Sequence, residues 1–299
     1  MKYRTRAYRA FTALNVGFMF LVVVIMAFPY VNVLAKSLNE SKDTLLGGIT
    51  LWPRKPTLEN YQALLADKQL LASAVVSVQR VLLGTVTSVA TQFLAAYALA
   101  QKRLVGKTGI LIFFMIPMYF SAGLIPQYIL YSQLSLTNSF WVYILPGIFS
   151  FFNIVIIRTY MHTLPESLSE SAKLDGANHP RILLNITLPM SLPILATITL
   201  WQAVGHWNDW TTTLYFVTRP RLFTLQYVLM QIITEADRVR QTIQYALQEG
   251  LDLSDQAATT TPEALRAAQV VFTTLPIILV YPFLQKYFIK GVMIGAIKD

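Results

Sequence analysis

Few side chains in this 299-residue sequence have the types and spacing for chemistry, and most of the usual chemistries are missing. Cysteine is absent, which removes disulfides, thiolate metal sites and a cysteine nucleophile together. His162, His179 and His206 stand in separate loops, without the spacing of metal ligands. Gly106-Lys107-Thr108 has the ending of a phosphate-binding loop, but Gln101 stands where the first glycine should, and no strand precedes it. It reads as a short turn with membrane-surface charge. Binding groups remain. Trp207-Asn208-Asp209-Trp210 joins aromatic faces to amide and carboxylate hydrogen-bonding groups, the combination that holds polyhydroxyl ligands. Tyr119, Tyr128 and Asn153 offer the same chemistry more thinly, and core packing explains them equally well. Arg80 is a lone cation in an apolar stretch.

The elements that must position these residues follow from composition. Hydrophobic residues make up 55% and charged residues only 13%, about half the charged share of a soluble domain. The apolar residues run together. Phe11–Ala35 carries no charge, and at about 1.5 Å per residue it exceeds a bilayer core of about 30 Å. It is also much longer than a signal-peptide core, so it reads as an uncleaved first span. Five further spans are predicted at about Leu70–Ala100, Gly109–Tyr131, Asn138–Tyr160, Ile186–Gly205 and Ala267–Phe288. None alternates polar and apolar residues as a barrel strand would, so all are helices.

Charge sets the orientation. With the N-terminus inside, the cytoplasmic segments hold 13 basic residues, among them Arg4, Arg9, Lys102, Lys173 and Lys290. Their acids are Glu166, Glu170, Asp175 and Asp299. The outside segments are nearly neutral, so the net +9 belongs to the cytoplasmic face, as the positive-inside rule requires, and not to nucleic acid. Both termini are expected in the cytoplasm, on one membrane domain spanning 1–299. Outside, Trp52-Pro53-Arg54-Lys55-Pro56 is turn-rich, and Thr57-Leu58-Glu59-Asn60-Tyr61 has the look of a capped short helix. The external segment 211–266 is too long to be structureless. A surface helix is expected over Leu225–Ile233, and a mobile segment over Asp252–Thr261.

The cytoplasmic loop at about 161–190 carries the most information. Pro165 suits a first helical turn, Glu166 and Glu170 suit the positive end of its dipole, and Gly176 suits the position past its end. Leu164, Leu168 and Ala172 fall at i, i+4, i+8 on one small apolar face. A second helix is expected from about Pro180 towards Pro189 and Pro193.

Glu170-Ser171-Ala172, then Gly176, then Ile186-Thr187-Leu188-Pro189 resembles the signature loop of ABC-importer permease subunits, with its spacings intact. Ser171 replaces the usual alanine and is small enough to keep the helix shape. Phe120-Ser121-Ala122-Gly123-Leu124-Ile125-Pro126, the Trp207–Trp210 stretch and the ending from Tyr281 to Gly295 are similar to the carbohydrate branch of these permeases. Within it they look like the subfamily importing oligosaccharides and polysaccharide fragments, acidic ones such as alginate or pectin pieces included. The resemblance implies a type I importer (MetI-like) all-α fold of six transmembrane helices in the cytoplasmic membrane. It implies that the loop is a coupling helix, with Glu170, Ala172, Asp175, Gly176 and Ala177 engaging a partner ATPase. It further implies a second, homologous permease subunit, two ATPase subunits that bind the ATP and magnesium, and an extracytoplasmic solute-binding protein. The chain itself would be no enzyme and hold no cofactor.

Rival classes fare poorly. A secondary transporter would need intramembrane acids for ion coupling, and the six spans contain no Asp or Glu. An intramembrane enzyme would need a metal triad or a His–carboxylate pair at depth. Arg80 stays open between structural pairing or snorkelling and lining a sugar pathway. Trp207 and Trp210 stay open between interfacial anchoring and lining the pathway.

Overall fold

The computed structural model describes residues 6–45, 47–248 and 263–296. Helices dominate. In chain order they are α1 (Arg6–Ser37), α2 (Ser41–Leu45), α3 (Glu59–Ala66), α4 (Lys68–Ala100), α5 (Lys107–Tyr119), α6 (Leu124–Gln133) and α7 (Phe151–Met161). There follow α8 (Glu166–Leu174), α9 (His179–Ile182), α10 (Leu188–Met190), α11 (Leu192–Asn208), α12 (Thr211–Phe216), α13 (Leu225–Gln248) and α14 (Glu263–Ala296). No strand occurs among the described residues; the one extended pairing is an isolated bridge between Asn39 and Pro56.

Two unbroken helices among these residues, Tyr8–Ser37 and Lys68–Ala100, are long and apolar enough to cross a membrane. Three more of the expected spans are bent, which the periodic apolar pattern did not reveal. Lys107–Tyr119 and Leu124–Gln133 meet at 114°. The break falls after Pro117, where Phe120 is extended and Gly123 takes a left-handed φ of +84°. Phe140–Gly147 meets Phe151–Met161 at 45°, because Pro146 and Gly147 leave only two short 3-10 turns there. His179–Met190 meets Leu192–Asn208 at 78° at Ser191, between the prolines at 189 and 193 and just after a π-helical turn at Leu183–Thr187. Counting each bent pair as one span gives five.

Segment 211–266 is more helical than expected, since α13 continues to Gln248. Asp252–Thr261 lies outside the described residues. Gly291 and Gly295, which pattern alone puts in a tail, belong to the continuous helix α14.

The chain divides into two compact units. One comprises Met1–Leu70 and Leu229–Leu275. Within it the end of α1 is tied by a polar knot. Buried Asn39 donates to Asp43 and Thr44 and accepts from the Lys55 N–H at 2.7 Å. Asn60 donates to the Ser37 and Asn39 carbonyls, and Lys36 pairs with Glu263 at 2.7 Å. The short helix expected there forms as α3, but its N-cap is Leu58, which has no side-chain cap; Thr57, one residue earlier, accepts from the Glu59 N–H.

The other unit comprises Leu71–Val228 and Pro276–Asp299. Its core joins α4 (Phe93, Ala96, Leu99), α7 (Phe151, Ile154, Ile157) and α11 (Leu195, Ile198). In a bilayer such helices are held by close packing and interhelical hydrogen bonds rather than by exclusion of water. A second cluster around Val142, Tyr143, Ile144, Phe216 and Val217 packs the 3-10 turns against α12.

Candidate functional site

The loop at about 161–190 folds as its local chemistry dictates. Pro165, extended, precedes α8, and Glu166 stands in its first turn, where the helix dipole favours an anion. At the other end Gly176 takes a left-handed φ of +79°. Its N–H donates to the Lys173 carbonyl at 3.1 Å, and the Ala177 N–H donates back to Ala172 at 2.9 Å. That pair of bonds is the Schellman closure of a helix end. A side chain at 176 would have room but would force a costly backbone conformation. Asn178 then caps α9 by accepting from the Arg181 N–H at 3.1 Å. Glu170, Asp175 and Gly176 are exposed, Ala172 and Ala177 half-buried. The apolar side chains of α8 turn outward too: Leu168 is exposed, and Leu174 is 89% exposed. α8 therefore leaves two apolar side chains uncovered on an otherwise polar helix.

A cavity of about 820 Å³ separates α8 from the turn between α4 and α5. Lys102 of that turn bonds Glu166 at 2.5 Å across it. This hydrogen bond, then the ammonium charge, holds the Glu166 carboxyl below its usual range. The same contacts raise Lys102. Burial, followed by the positive charges of Arg158 and Lys107, pushes the His162 imidazole below its usual range. Lys107 begins α5 after Gly106, whose left-handed φ of +72° makes the turn expected there.

Inside the second unit, one face of α4 carries Arg80, Gly84, Ser88 and Gln92 at intervals of four residues. Arg80 is only 3% exposed. Its guanidinium pairs with the Asp209 carboxylate, donates to the Asp209 carbonyl at 2.7 Å, and lies 4.7 Å from the centre of the Tyr143 ring. Asp209 also accepts from the Thr211 hydroxyl and from both the N–H and the hydroxyl of Thr212. Tyr143 donates to the Leu222 carbonyl at 2.8 Å. Arg80 is therefore a paired internal cation that fastens α4 to the break between α11 and α12. One turn on, a Cβ at Gly84 would come within 2.6 Å of the His206 ring, so only glycine admits this histidine. His206 is thus a buried residue of α11 rather than a loop residue. Next, Ser88 donates to the Gly147 carbonyl and Gln92 to the Ile148 carbonyl, the positions the 3-10 turns leave open. Gln92 in turn accepts from Asn153 at 3.1 Å and from Gln202 at 3.5 Å.

Of the expected pathway residues, the structure joins Arg80 to Asp209 and puts Asn153 about 18 Å further along α4, beside Gln92. Trp207 and Trp210 flank Asp209 half-buried, and Asn208 is exposed. Tyr119 is 71% exposed at the α5 break, and Tyr128 stacks on Phe216 with ring centres 6.1 Å apart. Gln92, Gln202, Tyr143 and His206 were missed. The four-residue stripe Arg80-Gly84-Ser88-Gln92 was the available signal for the α4 face. No cluster of metal-ligating side chains occurs among the described residues.

A membrane protein with bent spans and an exposed short helix between two of them is the class this geometry defines. Residues 83–294 match the binding-protein-dependent transport system inner membrane component family, and the chain belongs to it. It is thus a permease component of an ABC transport system, integral to the cytoplasmic membrane. It is 32% identical to the polygalacturonan/rhamnogalacturonan transport system permease protein YtcP of Bacillus subtilis, over 97% of this chain and 99% of that one. It superposes with a TM-score of 0.84 and 26% identity on a chain of a bacterial ABC transporter involved in importing the acidic polysaccharide alginate, covering 96% of this chain and 100% of that one. A chain of a bacterial alginate ABC transporter, in complex with a periplasmic protein bound to alginate pentasaccharide, shares the fold at a TM-score of 0.58 and 14% identity, over 94% and 96% of the two chains.

Proposed function

We propose that this chain is one of two permease subunits of an ATP-driven importer of acidic oligosaccharides, such as fragments of pectin or alginate. The observation that carries the reading is the end-to-end likeness to an alginate importer chain, with the pectin-related permease as a full-length sequence relative. In this reading the chain crosses the membrane six times, and both termini are cytoplasmic. Partner ATPases hydrolyse ATP with its magnesium, and an extracytoplasmic binding protein delivers the sugar.

Within this scheme α8 is the coupling helix. Its exposed Leu168, Leu174, Glu170 and Asp175 sit in the ATPase cleft, while the Gly176 turn passes their displacement to α9 and the bent span beyond. The bends at Phe120–Gly123 and at Ser191 supply places where spans can rock as rigid pieces. The Trp207 and Trp210 rings, Asn208, Tyr119 and Tyr128 line the sugar route, with the Asn153 amide deeper. Arg80 and Asp209 act on the route indirectly, by holding the Trp207–Trp210 segment against α4.

The test is uptake in proteoliposomes holding the two permeases, the ATPases and the binding protein. Oligouronates should accumulate only with ATP, and the neutral analogues of the same length far less. Uptake driven by an ion gradient without ATP would instead support a secondary transporter, and equal uptake of neutral sugars would remove the acidic cargo.

A further inference from the structure

The outer loop after α1 folds back along the helix it has just left. Asn32 lies five residues, or about 7.5 Å, before the end of α1. Its side-chain amide donates to the Ile49 carbonyl at 2.9 Å and to the Thr50 carbonyl at 2.8 Å. Two left-handed glycines, Gly47 at φ +74° and Gly48 at φ +75°, make the descent, and Ile49 is buried at its foot. On the return, Arg54 donates to the Asp43 carboxylate and to the Gly47 carbonyl, and Asn39 accepts from the Lys55 N–H. The loop is therefore fastened on both arms. Its tip, Leu51-Trp52, is left bare: Leu51 is 46% and Trp52 82% exposed. Around Asn32, Tyr30, Val31 and Leu34 on α1 are exposed as well.

We infer that Leu51-Trp52 is a lipid anchor, planted in the headgroup region of the leaflet at the C-terminal end of α1. Three observations favour lipid as the occupant. The charge-free run Phe11–Ala35 is about 37 Å long, so its last turns stand at the edge of a hydrocarbon core of about 30 Å, the level of Asn32. The tip continues the exposed apolar surface of α1, which buries none of its spanning window within the chain. Tryptophan suits that depth, because its ring is apolar and its N–H can meet lipid carbonyls and water. Cationic Lys55 at the loop's far end, 62% exposed as a side chain, stays with the water. The anchor fixes the height of the α1–α2–α3 knot above the bilayer. The leaflet is the outer one under the topology proposed above, on which that part alone rests.

The absence of native cysteine gives a direct test. Trp52→Cys and Lys55→Cys, each carrying a nitroxide, are placed in the assembled transporter in bilayers. Collisions with oxygen, which concentrates in lipid, are compared with collisions with a water-soluble nickel chelate. At 52 oxygen should exceed nickel several-fold, at 55 the order should reverse, and adding the solute-binding protein should change neither. Nickel dominating at 52 would overturn the anchor. So would a label at 52 that neither collider reaches, or that the binding protein shields, since each means a protein occupant. Impermeant thiol labelling at 55 reads the leaflet separately: reaction from the cytoplasmic side would reverse the topology and leave the anchor standing.

Discussion

The 161–190 loop and the buried face of α4 are both polar segments of an apolar chain, yet they are encoded in different ways. The loop is local. Its cap bonds span three to five residues, from Lys173 to Gly176 and from Ala172 to Ala177. The α4 face is made of long-range partners: Arg80 meets Asp209 across 129 positions, and Gln92 meets Asn153 across 61. The loop leaves its side chains exposed, whereas the α4 face spends its hydrogen bonds inside the chain. Damage to the first should uncouple an assembled protein. Damage to the second should prevent assembly.

The largest effect is expected at the buried pair. Arg80→Leu leaves the Asp209 carboxylate without its cation, a loss of about 3–5 kcal/mol for a buried pair broken on one side. Purified complex yield and thermal stability should fall sharply, and Arg80→Leu with Asp209→Leu should recover much of the loss. A single variant as stable as the double would show that the pair is not what holds the α11–α12 break.

Gly84→Val comes next. Overpacking against the His206 ring should cost about 1–3 kcal/mol. His206→Ala opens that space, so the double variant should melt above Gly84→Val alone. Equal melting would place the clash elsewhere.

This contrast explains what was legible in the sequence. Glycine at 176 and proline at 165 act on their own neighbours, so the loop could be read residue by residue. Arg80 was visible only as an anomaly, because nothing near it in sequence names Asp209, which read as a solvated external acid or a sugar ligand. The spans were legible as apolar runs, but their bends were not. Proline at 117, 146, 189 or 193 permits a kink without requiring one, and packing decides. His206, one residue past the expected end of a span, was assigned to a loop for want of its partner Gly84.

Topology divides the two regions by side. Lys173→Cys should react with impermeant thiol reagents from the cytoplasm and Lys55→Cys from outside. Reaction of both from one side would remove the six-span arrangement.

The smallest effect is expected at the exposed pair Lys102–Glu166. The depressed Glu166 carboxyl contributes above its ordinary pKa, and that contribution is lost as pH falls through its lowered value. The raised Lys102 ammonium contributes below its ordinary pKa and is lost as pH rises through its raised value. The strap is therefore intact at neutral pH and weakens in acid, in strong alkali and in high salt. Glu166→Gln should shift the salt dependence of the ATPase only slightly. A large stability loss in Glu166→Gln would mean the contact is not solvent-screened.

Gly176 offers the most direct measurement of the central claim, that this chain is driven through its cytoplasmic loop by ATPases it does not contain. A valine there strains the left-handed turn by roughly 1–2 kcal/mol while the membrane core stays untouched. In the reconstituted transporter, Gly176→Val should assemble and keep basal ATP hydrolysis but lose sugar-stimulated hydrolysis and uptake, with Gly176→Asn keeping part of both. Wild-type stimulation and uptake in Gly176→Val would contradict the account.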